Sequence, residues 1–439
     1  MNDPARQNAI SPIPGWTMRP HTFTVPLDHD RSGGPTIELF AREVVDTRRD
    51  GDRLPWLIFF QGGPGFGGPR PLERSGWLKR LAGEFRVLLL DARGTGRSTP
   101  IGVHTLECLP SPPEQFAYLR HFRQDAIVRD AECIRRRLLG DEPWYAYGQS
   151  FGGWCITTYL SQAPEGLAGA LLTGGLPPVH RTAEELYAHT YRIVETKNDR
   201  FYTMFPQQEE NVRRIADHLA AHDVRLPQGD RLTVRRFQQV GLNFYRSTGY
   251  AFLNYLLEGA WVDGPNGPQL SYAFLREIER QFPYESNPIF AVLHEPIYSN
   301  GPATRWAAHR VRARYPQFDA EAPGRVLLTG EMIYPWMFEE YRMLRPFAGV
   351  AEQVAAHDGW PPLYNPGALA QNRAPVAAAV YYDDMCVVRR FSEETARTIG
   401  NCSVWITNEY EHDGSGVDGE RIIGRLLDLM RGHAAHAFA

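Results

Sequence analysis

Along the first 180 residues, hydrophobic and polar positions follow two rhythms. Residues 22–26 (Thr-Phe-Thr-Val-Pro) and 36–45 alternate apolar with polar, which predicts an antiparallel pair of half-buried strands. Residues 56–60 (Trp-Leu-Ile-Phe-Phe) and 87–90 (Val-Leu-Leu-Leu) are apolar without interruption. Strands of that kind are covered on both faces, as in a parallel sheet flanked by helices. From 122 to 139 the period lengthens: Ala126, Ile127, Ala131, Ile134 and Leu138 or Leu139 fall on one side, with Arg and Asp opposite, which predicts an amphipathic helix. A strand at 144–147, a glycine-rich turn, a helix at 154–163 and a strand at 170–173 follow. This β-loop-α-β order predicts an α/β fold.

After Gly175-Leu176-Pro177-Pro178 the pattern turns helical and aromatic, with stretches at 183–205, 212–222, 234–257, 272–282 and 288–315. Strand-like alternation returns only at 375–381 and 402–407, before a last helix at 419–430. One crossover between parallel strands needs about 30 residues. The interval here is far longer, so most of it is an insertion. The expected architecture is a core of mostly parallel sheet and flanking helices built from residues 1–178 and 371–439. A helical cap, residues 179–370, is inserted before the strand that carries the candidate acid. The sequence shows no internal repeat and no long disordered linker.

This changes the meaning of the length. At about 150 residues per domain, 439 residues suggest about three units; the pattern reduces them to one core with one insertion. Lys and Arg total 47 against 51 Asp and Glu, and no basic tract stands out, which argues against nucleic acid as a partner. The chain opens Met1-Asn2-Asp3-Pro4 without a basic and apolar leader, and no run reaches about 18 apolar residues, so neither secretion nor membrane insertion is expected. Five cysteines (Cys108, Cys133, Cys155, Cys386, Cys402) form no CxxC pair and fit a reduced, cytoplasmic setting. Forty glycines, 34 prolines and 12% aromatic residues predict tight loops and aromatic-lined cavities.

The strongest chemical signal is Gly148-Gln149-Ser150-Phe151-Gly152-Gly153, set between a predicted strand and a predicted helix. G-x-S-x-G in that context is a sharp turn that exposes the serine hydroxyl above a helix N-terminus. A serine needs a base, and the base an orienting acid; on this scaffold they follow in the order Ser, Asp or Glu, His, each after a strand. His412, just past the last strand, is the candidate base, whereas His433 and His436 lie in an Ala-rich tail. The acid is sought in Tyr382-Asp383-Asp384-Met385; Asp384 is favoured because it lies further round the loop, and Asp383 stays open.

A second glycine-rich loop, Gln61-Gly62-Gly63-Pro64-Gly65-Phe66-Gly67-Gly68, follows the strand at 56–60. Gly63-x-Gly65-x-x-Gly68, with Asp91 downstream, formally matches a dinucleotide fingerprint. That fingerprint must open a helix, and here the loop runs on into Pro69-Arg70-Pro71. The favoured reading is an oxyanion loop whose donors are the backbone N–H groups of Gly63, with Gly62 as a further candidate, and of Phe151 after the serine. Asp91-Ala92-Arg93-Gly94-Thr95-Gly96-Arg97-Ser98 reads as a bracing turn with an internal Asp–Arg pair.

In order, QGGPG, DARGTGRS and GQSFGG resemble the HGGPG, DxRGxGxS and GxSxGG motifs of the proline iminopeptidase (prolyl aminopeptidase) family of α/β-hydrolases. Phe23-x-Val25-Pro26-Leu27-Asp28-His29 is similar to that family's first strand. The motif-bearing likeness covers about residues 20–178 and 375–415. One position departs: the family's histidine before GGPG is Gln61, which alters loop hydrogen bonding without removing a hole made of backbone donors. The resemblance implies a helical cap whose carboxylates bind the substrate's free amino terminus, with Glu295 and Glu331 as candidates, and a proline pocket walled by Tyr334 and Trp336. Their plainer roles would be pairing with Arg305 or Arg342, or core packing. It further implies a serine aminopeptidase acting on short peptides with a free N-terminus, preferentially on proline, through an acyl-enzyme and with no metal or cofactor. The alternatives are an esterase or small-amide hydrolase on the same scaffold, a non-catalytic binding protein with a relic triad, and, more remotely, a dinucleotide-dependent oxidoreductase.

Overall fold

The computed structural model describes residues 10–265, 267–282, 284 and 286–432; His433 and His436 lie outside them. Eight strands form one sheet: β1 (Trp16–Pro26), β2 (Thr36–Asp46), β3 (Trp56–Phe60), β4 (Arg86–Leu90), β5 (Trp144–Gln149), β6 (Leu167–Thr173), β9 (Val376–Tyr381) and β10 (Cys402–Thr407). Between β6 and β9 lies a separate hairpin, β7 (Trp261–Gly264) with β8 (Gly267–Leu270). The sheet order is β1-β2-β4-β3-β5-β6-β9-β10. β1 with β2 and β2 with β4 are antiparallel, and the remaining neighbours are parallel.

The apolar runs sort their side chains by period two. Leu57, Phe59, Val87, Leu89, Ala377 and Ala379 pack beneath helices Gly76–Ala82 and Gly419–Met430. Their neighbours Ile58, Phe60, Leu88, Leu90, Ala378 and Val380 face the other way, onto helices Gln124–Leu139 and Phe151–Gln162 and the insertion. The result is an α/β sheet covered on both sides, the class the sequence predicts. Because the central strands are parallel, their C-terminal ends, and the loops that follow β3, β5, β9 and β10, gather at one edge of the sheet.

Within the insertion the structure corrects two expectations and adds one element that the sequence reading lacks. The helix predicted over 234–257 is broken into Val234–Gln238, a 3-10 segment Gln239–Tyr245 and Gly249–Glu258. A Cβ at Gly249 would fall on the Asn243 carbonyl oxygen, so the chain doubles back tightly there. The stretch 288–315 is likewise divided, into Pro288–Leu293, Pro296–Tyr298 and Ala307–Arg312. The β7–β8 hairpin has no counterpart in the sequence reading: its strands are four residues each and too short to show a period.

Candidate active site

Ser150 sits between β5 and helix Phe151–Gln162 with φ 55 and ψ −125, a conformation that costs a non-glycine residue about 1–3 kcal/mol. The surroundings over-determine it. Its N–H donates to the Thr173 carbonyl at 3.0 Å, and its carbonyl accepts from Gly153 N–H at 2.8 Å. A Cβ at Gly152 would strike the Phe60 carbonyl on β3, so only glycine lets the turn approach the sheet this closely. The serine hydroxyl does not cap its own helix, although serine commonly does. The Oγ is left free for chemistry at a helix N-terminus.

His412 lies in the loop after β10, and Asp384 in the loop after β9, one strand away in the sheet. His412 Nδ1 meets Asp384 Oδ2 at 2.7 Å. The other carboxylate oxygen, Oδ1, accepts from the amides of Cys386 (2.8 Å) and Val387 (3.0 Å), so the acid is anchored by its own loop. Asp383 is exposed. With the Nδ1 proton directed at the carboxylate, the imidazole keeps Nε2 to accept a proton. Burial pushes the His412 pKa down. The charge and hydrogen bond of Asp384, with Glu331 and Asp413 beyond, outweigh it and hold the imidazole above its ordinary 6.5.

Ser150, His412, Gly62, Gly63 and Glu331 line one cavity of about 250 Å³. Gly62 backs directly onto the serine: a Cβ there would lie 3.2 Å from Ser150 Cβ. Asp91 braces the far end of this loop, accepting from Gly68 N–H (2.8 Å), Arg97 N–H (2.8 Å) and the Arg70 guanidinium (2.5 and 2.9 Å). The expected pairing inside the Asp91 turn is corrected: Arg93 turns away to Asp130, at 2.5 and 2.7 Å, and Asp91 takes Arg70. Residues 61–75 contain no helix, and Asp91 has no oxygen to spare for a ribose, so the dinucleotide reading has no support.

The two candidate carboxylates of the insertion part company. Glu331 reaches the cavity; burial raises its pKa, partly offset by the His412 charge and a hydrogen bond from Cys386. Among the described residues no Arg or Lys pairs with it, and Arg342 instead gives its backbone N–H to Asp230. Glu295 is not in this cavity. Its buried oxygens accept from the amides of Ala307 and Ala308, both at 2.9 Å, at the start of the short helix Ala307–Arg312, while Arg305 pairs with Asp358. Tyr334 and Trp336 are likewise corrected. They stack 5.5 Å apart and border a separate cavity of about 600 Å³ with Arg235, His309 and Arg312. Tyr334 Oη meets Tyr191 Oη at 2.9 Å.

The apolar and aromatic walls around Ser150 are instead Phe66, Leu242, Tyr245 and Phe290, and Cys386 and Gln61 also line the cavity. Sequence reasoning missed Leu242 and Tyr245 because it ran one helix through them; the glycines at 241 and 249 are the signal that marks the break. As for metals, donor atoms of Asp384, Cys386 and His412 lie within 4.8 Å of one another. The 2.7 Å approach of Asp384 to His412 is that of a hydrogen bond; two ligands on one Zn²⁺, with bonds of about 2.0–2.3 Å, stand further apart. The arrangement suits proton transfer.

Residues 55–241 match the family model described as alpha/beta hydrolase fold. Over 421 residues the chain is 50% identical to a proline iminopeptidase from Aeromonas sobria, covering 95% of this chain and 98% of that one. It is 33% identical over 415 residues to a proline iminopeptidase from Aspergillus aculeatus, covering 93% and 92%. A solved proline iminopeptidase-related protein from Thermus thermophilus aligns over 94% of this chain and 98% of its own, at 16% identity and a TM-score of 0.40.

Proposed function

This chain belongs to the proline iminopeptidase family of α/β-hydrolases and is a prolyl aminopeptidase, and from that premise we propose how its own residues run the reaction. Ser150 Oγ attacks the carbonyl of the N-terminal residue while His412 Nε2 takes its proton. Asp384 holds the imidazole tautomer and stabilises the imidazolium. The amides of Gly63 and Phe151 hold the oxyanion. His412 then returns the proton to the leaving amine, and water releases the acyl-enzyme by the same steps in reverse order.

One observation carries the specificity for a free amino terminus. Glu331 is a carboxylate raised by burial, without an Arg or Lys partner among the described residues, in the same cavity as Ser150. Such a group is costly until a cation meets it. The prolyl ammonium is that cation, and anchoring it beside the serine limits cleavage to the first peptide bond. Glu295, Tyr334 and Trp336 take no part in this reading. Residues 179–370 act as the substrate-selecting cap, and the small cavity favours short peptides. No helix among the described residues is long and apolar enough to cross a membrane. The five unpaired cysteines support a cytoplasmic place of work.

The test compares proline β-naphthylamide with its N-acetylated form and with a p-nitrophenyl ester. Hydrolysis of the free-amine substrate alone among the amides is expected; equal activity on the blocked amide, or activity on the ester only, would overturn the assignment.

A further inference from the structure

Helix Ala183–Met204 of the insertion touches the site through two consecutive residues that point to two different parts of it. Lys197, its side chain 4% exposed, places Nζ 2.7 Å from Glu411 Oε2, next to His412 in sequence. Asn198, fully buried, forms a closed pair of bonds with Leu328. Its Nδ2 donates to the Leu328 carbonyl at 2.9 Å, and its Oδ1 accepts from the Leu328 N–H at 2.8 Å. Leu328 lies three residues before Glu331 on a segment with no regular secondary structure of its own. The histidine loop is held from the insertion at two more points. Ser247 donates its N–H (2.9 Å) and Oγ–H (2.7 Å) to Asp413 Oδ1, and the Tyr245 ring meets the His412 ring edge-on at 6.3 Å.

The geometry points to one turn of helix Ala183–Met204 as the gauge that sets the distance between the amine anchor and the base, with Lys197 and Asn198 as positioning residues. This rests on the reading of Ser150, His412 and Glu331 given above. The physical reason is rigidity. Neither the loop carrying His412 nor the segment carrying Glu331 has a ladder of its own, and a consecutive pair in a hydrogen-bonded helix is separated by a fixed rise of about 1.5 Å. Aminopeptidase action needs that constancy, because the scissile carbonyl lies a fixed number of bonds from the ammonium.

The two residues therefore carry separable effects. Lys197→Met frees the histidine loop. It is expected to lower kcat for proline β-naphthylamide by about ten- to a hundredfold, the order seen when a reacting group is displaced by about an ångström, with KM little changed. It slows labelling of Ser150 by a small alkyl fluorophosphonate, which has no amine, by a similar factor. Asn198→Ala loosens the Glu331 segment. It is expected to raise KM for the amide about tenfold, as for a lost anchoring hydrogen bond of about 1.4 kcal/mol, and to leave the labelling rate at the wild-type value. Lys197→Arg keeps the cation and restores most of kcat. In Lys197→Met with Glu411→Gln, no unpaired charge remains buried, and the rate stays low because the tie is still missing.

Wild-type labelling in Lys197→Met, recovery in the double variant, or the same parameter changing in both single variants would overturn the gauge. Ser150→Ala separates the two levels. If it retains amidase activity, the underlying reading of the site fails; if it is inactive while Lys197→Met behaves as wild type, the gauge alone fails.

Discussion

Both carboxylate oxygens of Asp384 are engaged, one by His412 Nδ1 and the other by two loop amides. Asp384→Asn keeps the loop but must turn an NH₂ toward Nδ1, forcing the wrong tautomer. A kcat loss of about 10⁴ is expected, as for a replaced triad acid. The pH dependence moves as well. The base works as the neutral imidazole, and Asp384 holds its pKa above 6.5 against burial, so wild-type kcat/KM falls as pH drops through that raised value. In the variant burial is less opposed, and the acid limb shifts to lower pH, measurable in initial-rate profiles. Glu331→Gln is expected to raise KM for proline β-naphthylamide about ten- to a hundredfold, the loss of a charge-assisted bond of about 1.5–3 kcal/mol. Well above the raised His412 value, where the imidazole is neutral with or without the Glu331 charge, it leaves the fluorophosphonate labelling rate near that of the wild type. The cues for Ser150 and His412 are local, a pentapeptide between strand and helix and a histidine after the last strand, and they lead to two residues that line one cavity. Asp383 and Asp384 are adjacent and identical, and only the fold of the loop turns one inward. Glu295 and Glu331 both sit among aromatics, and nothing along the chain says that one caps a helix and the other lines the cavity that holds Ser150.

Elements were readable where their period was long or their burial two-sided. β3 and β10 match the predicted bounds, and the alternation of β1 and β2 marked the antiparallel edge. The insertion was less readable, because apolar spacing alone does not report where a helix must stop. The break at 239–248 depends on Gly249 approaching Asn243 and Gly241 approaching Thr329, contacts set by the fold. Glu295 shows how an element can depend on one side chain. It receives the first two amides of Ala307–Arg312, a helix too short to hold itself. Glu295→Ala is expected to cost about 1–2 kcal/mol of stability in urea unfolding, with KM for the prolyl substrate unchanged.

At the scale of the molecule, the sheet and the insertion share one hydrophobic cluster. Trp154, on the helix behind Ser150, packs at 4.7 Å against Tyr298, which meets Tyr187 of the helix bearing Lys197. Removing residues 179–370 would take away Tyr298 and Tyr187 and expose Trp154 and the apolar residues beside it, and large contiguous apolar patches are rare on soluble surfaces. The shortened chain is expected to partition into the insoluble fraction, whereas the full chain stays in the supernatant. The split of the site along the chain has a further meaning during synthesis. Ser150 leaves the ribosome more than two hundred residues ahead of Asp384 and His412. At about 5–20 residues per second, the proposed nucleophile waits on the order of ten seconds to a minute for its proposed base. With the proposed triad, the chain is born inert and gains its activity only with its final strands.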